Sequence, residues 1–115
     1  MVARESEIAD RNSSVRVPHI ILSFANSPTK TERVWEGLHS KRLPPEIQNR
    51  AYAKLVMLDA AESLDDLRNP PGNKLHALKD DRAGQHAIWI SGKWRVCFRF
   101  KDGNAYDVEI VDYHD

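Results

Sequence analysis

The chain of 115 residues carries a single cysteine, Cys97, so no disulfide can close within it and a multi-cysteine metal site lacks its ligands. No apolar run approaches the roughly 18 residues of a membrane span. No apolar stretch near the N-terminus has the character of a secretory signal. Net charge of one sign is also missing: 17 basic side chains balance 17 acidic ones. That excludes a basic coat over the whole surface, although a local basic patch remains open. These absences point to a reducing compartment, most simply a cytoplasm, and to no membrane partner. What is present is 41% hydrophobic and 30% charged residues, the balance of one folded globular domain.

The first 18 residues show neither strand alternation nor a helical stripe, and read as a flexible extension ahead of a domain spanning 19–115. His19-Ile20-Ile21-Leu22-Ser23-Phe24 reads as a first strand, stopped by Asn26-Ser27-Pro28. Thr29 or Thr31 is placed to cap a short helix through Trp35 and Leu38. Leu43-Pro44-Pro45 starts the best helix, since a first-turn proline loses no intrahelical bond. Ile47, Ala51, Leu55 and Leu58 then form one apolar stripe, ending near Ala61 or Glu62. Ser63 caps a brief turn through Leu67, and Asn69-Pro70-Pro71-Gly72 breaks it.

Beyond Gly72 the pattern turns to strands: 74–78, 86–90, 94–100 and 105–113. Trp94, Val96, Phe98 and Phe100 alternate onto one face, with Arg95, Cys97 and Arg99 on the other. Asp102-Gly103 marks a hairpin turn. A strand, two or three helices and a run of strands imply an α+β domain, helices packed on one face of a largely antiparallel sheet.

The polar residues left outside such a core include Lys74, His76, Lys79, Arg82, Lys93, Arg95 and Arg99, with Asp112, Tyr113 and His114 at the end. Cations with histidines and a tyrosine suit phosphodiester cleavage, which needs a base for a 2′-hydroxyl, an acid for the 5′-oxygen and cations for the phosphorane. Histidine fits the proton work because its unperturbed pKa is about 6.5. Each residue also has an ordinary reading: His76 as a satisfied strand histidine, Lys79 to Arg82 as a solvated loop, Arg95 and Arg99 as solubilising, Trp89 and Trp94 as packing. His19, His39 and His86 have no spacing that makes a metal site.

Taken together, these segments resemble the HigB-type toxins of the RelE/ParE superfamily, from type II toxin–antitoxin systems. The likeness rests on Lys74-Leu75-His76-Ala77-Leu78-Lys79-Asp80-Asp81-Arg82-Ala83-Gly84. It continues through Ile88-x-Ile90, Trp94-Arg95-Val96-Cys97-Phe98-Arg99-Phe100, Asp102-Gly103-x-Ala105-Tyr106 and Asp112-Tyr113-His114. The resemblance implies a RelE/ParE-like fold and a metal-independent endoribonuclease without cofactor, cutting mRNA on the 70S ribosome. It further implies a HigA-like helix-turn-helix antitoxin, with operator DNA bound only through the complex. The positions that match are His76, Lys79, Arg95, Asp112, Tyr113 and His114, as catalytic or phosphate-binding residues. Asp80 departs from the pattern, standing where relatives commonly have glycine, and puts a carboxylate beside Lys79. From Lys30 to Lys54 six basic residues stand against three acidic ones, so Arg50 and Lys54 are expected to join Lys74, Arg82, Lys93 and Arg99 in contacting RNA. A different reading keeps the fold without the nuclease: a gyrase-targeting toxin, or an antitoxin-binding co-repressor subunit.

Overall fold

The computed structural model describes residues 21–25, 30–38 and 43–112. The extension expected over 1–18, and Tyr113 and His114, lie outside the described residues. The order is α1 (Lys30–Trp35), α2 (Pro45–Ala60), then β1 (His76–Ala77), β2 (His86–Ser91), β3 (Trp94–Lys101) and β4 (Asn104–Asp112). The four strands pair in sequence order, each antiparallel to the next. The expected α+β class holds. Short 3₁₀ turns at Leu64–Arg68, Pro71–Asn73 and Asp80–Arg82 occupy the connections on either side of β1. Among the described residues no helix is long and apolar enough to cross a membrane.

α2 begins at its prolines and buries the whole expected stripe of Ile47, Ala51, Leu55 and Leu58. These side chains meet Ile88 and Ile90 of β2, Val96 and Phe98 of β3, and Val108 and Ile110 of β4 in one core. α1 stops at Gly37, whose φ of +79° is the left-handed conformation glycine adopts freely. The Leu38 N–H then bonds back to Arg33 O (2.7 Å) and that of Gly37 to Val34 O (3.0 Å), which satisfies the last carbonyls. Thr31 is not the cap it resembles. It lies inside α1, fully buried, and its hydroxyl accepts the Ile110 N–H at 2.8 Å, tying α1 to β4.

The expected first strand is represented by Ile21–Ala25, which runs parallel to β4 through bridges at Ile21 with Ala105 and Phe24 with Val108. Its register depends on an irregularity in β4. Cys97 pairs with Glu109 but Arg99 pairs with Tyr106, so β4 carries one extra residue. Asp107 takes a φ of +52° there, and its N–H is held by the Ser23 hydroxyl at 2.9 Å. The bulge lets Ala105 and Val108, three positions apart, both face the core.

The strand expected over 74–78 is shorter, because Lys74 sits at φ +51° as the end of the Pro71–Asn73 turn. Asn73 beside it is wholly buried. Its amide donates to Leu67 O (3.0 Å) and Asn69 O (3.3 Å), and its oxygen accepts the Lys54 ammonium. This clamp joins α2 to the turn that delivers Lys74 and His76 to the sheet. At the far hairpin Asp102 and Gly103 both have positive φ, the geometry the Asp-Gly pair implies.

Candidate functional site

Directly paired residues of an antiparallel sheet point to the same face. The pairs His76–Ala87, Ala87–Cys97 and Cys97–Glu109 therefore lie on one face, as do Trp89–Arg95 and Arg95–Val111. α2 covers the opposite face, and among the described residues no helix covers this one, the open face. Its floor is a small apolar cluster of Leu78, Ala87 and Cys97, with Val111 against it. Cys97 is thus buried on the side its alternation assigns to polar residues. Burial pushes its thiol up to about 11, and it stays protonated and inert at neutral pH.

Around that floor stand the sequence candidates. His76 is exposed, and its Nδ1 lies 2.8 Å from Lys74 O. A carbonyl only accepts, so Nδ1 carries the proton. In the neutral ring Nε2 then holds the lone pair. Arg95 gives Nη1 to Gly92 O (2.8 Å) and Trp94 O (3.2 Å), has no carboxylate partner among the described residues, and leaves its buried Nε unbonded. Lys74 places Nζ 4.5 Å from the Trp89 ring centroid. Lys79 is exposed where the chain enters the Asp80–Arg82 turn.

The other two arginines of this face are already paired. Arg82 bonds Glu109 (3.3 Å) and Gln85 (3.1 Å), which fastens the Lys79 loop to β4. Arg99 pairs with Asp107 at 3.3 Å and lies over Gly84, whose φ is +91°. Each therefore has a carboxylate neighbour, which Arg95 lacks among the described residues. Asp80 takes φ +55°, which explains why glycine suits that position: the loop needs a left-handed residue, and aspartate tolerates it.

The remaining candidates stand elsewhere. Asp112 pairs with Trp94, and so belongs to the face opposite Arg95. Lys93 is exposed in the β2–β3 turn. Arg50 and Lys54 are on α2, across the sheet; Lys54 is engaged by Asn73, and burial followed by the Arg50 charge lowers its pKa. An open pocket of about 370 Å³ between α1 and α2, lined by Val34, Leu38, Gln48 and Tyr52 among others, has no imidazole or ammonium group among its described lining residues. Two residues escaped the sequence reading. Trp94 packs on the core as expected, but Trp89 stands on the open face, which its phase opposite Ile88 and Ile90 could have signalled. Asn73 gives no sequence signal for its burial.

The family described as the RelE-like toxin of the type II toxin–antitoxin system HigB matches residues 23–114. The chain belongs to this family. Toxin HigB-1 of Vibrio cholerae serotype O1 (strain ATCC 39315 / El Tor Inaba N16961) is 38% identical over 75 residues, 64% of this chain and 79% of that protein. Endoribonuclease HigB of Proteus vulgaris is 36% identical over 72 residues, 63% of this chain and 77% of that one. The HigB match runs through α1, α2 and all four strands, so the open face belongs to the matched region. Membership in a toxin–antitoxin family brings with it an antitoxin partner.

Proposed function

We propose that this HigB-family toxin is an endoribonuclease whose open sheet face cuts mRNA. The relative from Proteus vulgaris carries that activity in its name. The observation that carries the reading is the His76 contact: Nδ1–H is held by Lys74 O, which leaves Nε2 free on the face that also carries Arg95, a cation with no carboxylate partner among the described residues. Neutral His76 takes the proton of a 2′-hydroxyl through Nε2. The 2′-oxygen attacks the adjacent phosphorus, and the P–O5′ bond breaks. A second group protonates the leaving 5′-oxygen, for which the family resemblance nominates His114 or Tyr113. Arg95 and Lys79 stabilise the phosphorane charge. The products are a 2′,3′-cyclic phosphate and a 5′-hydroxyl.

The substrate in this reading is mRNA on the 70S ribosome, in the cytoplasm. The neutralising partner is a HigA-like helix-turn-helix antitoxin, and operator DNA is bound only through that complex. Mapping the cut ends of a reporter mRNA in translation extracts tests it. Wild-type protein is expected to leave cyclic phosphate ends, and Lys79→Ala or Arg95→Ala to slow cleavage by about 10²-fold or more. Intact mRNA with growth arrest and SOS induction would instead favour the gyrase-binding reading.

A further inference from the structure

We propose that Trp89 is a stacking platform for one base of the RNA. The inference rests on the nuclease reading and extends it to a residue outside the catalytic set. Trp35 and Trp94 pack against the main core, whereas Trp89 is half-buried on the open face. Its Nε1–H donates to Gly92 O at 2.8 Å, and Arg95 Nη1 donates to the same carbonyl at 2.8 Å. The indole and the guanidinium are therefore fixed to each other through one backbone oxygen.

Trp89 and His76 are diagonal neighbours, since His76 pairs with Ala87. On a sheet that diagonal spans roughly 7–8 Å, the reach from a phosphate to its own base. A phosphate between His76 and Arg95 thus brings a base over the indole. Lys74 holds that ring in the free protein, with its ammonium 4.5 Å from the centroid. A stacked base is worth about 5- to 150-fold in affinity, and a surface cation over the same ring about 2- to 5-fold. The base wins the exchange, and the displaced ammonium is released beside the incoming phosphate. Stacking reads the presence of a base and not its identity, because every base has a π-face.

The test compares Trp89→Phe with Trp89→Leu, both apolar and only the first aromatic. Cleavage of ribosome-bound reporter mRNA is measured with the thermal unfolding of each variant. In parallel, a non-cleavable 2′-O-methyl RNA hexamer is titrated against the protein, and tryptophan fluorescence is followed. The expected result is Trp89→Phe within about 3-fold of wild type in kcat/KM and Trp89→Leu down about 10-fold or more, with equal unfolding midpoints. The hexamer should quench wild-type fluorescence, inorganic phosphate should not, and the quench should vanish in Trp89→Phe. Equal cleavage by the leucine and phenylalanine variants overturns the proposal while leaving the nuclease reading intact. If wild-type protein cuts no RNA, that reading falls, and the hexamer decides the platform alone: quenching supports it and no quenching overturns it.

Discussion

Along β3, Val96 and Phe98 pack in the core with α2, while Arg95, one residue away, hydrogen-bonds among the described residues to the backbone oxygens of Gly92 and Trp94. The first face is closed by packing against α2. The second is closed by an apolar floor only as wide as Leu78, Ala87, Cys97 and Val111. Beyond that floor it is finished with cations and an imidazole. Of those cations, Arg82 and Arg99 pair with Glu109 and Asp107, and among the described residues no ion pair holds Lys74, Lys79 or Arg95. One face therefore holds the domain together and the other carries its uncompensated positive charge. A whole-chain charge of zero conceals this division.

A charge placed on the closed face does the most damage. Val96→Asp buries an unpaired carboxylate under α2 and should cost more than about 4 kcal/mol, enough to abolish a cooperative thermal transition. A soluble variant that melts sharply would show that this face is not the core. On the open face a gentler substitution is informative. Asp80 is held at φ +55° beside Lys79. Asp80→Gly relieves that conformation and removes a carboxylate, so it should raise stability by no more than about 1 kcal/mol in urea unfolding and quicken cleavage. A fall in both would contradict the left-handed reading of the loop.

The smallest effect is in pH. His86 stacks against Phe98, and burial first, then the His76 and Arg68 charges, hold its pKa below 6.5. The unfolded chain takes the proton before the folded one does. The stability this group contributes is whole above the ordinary histidine range and is lost as pH falls through it toward the folded value. His86→Phe should flatten that part of the urea-unfolding profile between pH 8 and 5, and an unchanged profile would remove His86 as its source.

Much of the closed face was legible because its signals are local and periodic. The α2 stripe, the alternation of β3 and the Asp102-Gly103 turn each depend on residues adjacent in sequence. The joints between elements were not legible. The Thr31 hydroxyl reads as a cap until Ile110 is seen to need it, and nothing near Asp107 announces that Ser23 will hold a bulge there. Asn73 passes for a loop residue, although it is buried between Lys54 and two carbonyls. In the site, His76, Lys79 and Arg95 were named from the sequence, but not the pairing that sets Arg82 and Arg99 apart from Arg95. That distinction depends on which strand lies beside which.

The two described histidines of the sheet offer the most direct test, because they stand on opposite faces. Single-turnover cleavage by His76→Ala and His86→Ala should be measured at matched folded fraction, with each unfolding midpoint. His76→Ala should lose about 10²-fold or more in rate at an unchanged midpoint, the scale of a lost proton-transfer group. His86→Ala should lose stability and keep its rate per folded molecule. Full activity in His76→Ala, with the rate lost in a well-folded His86→Ala, would put the chemistry on the wrong face.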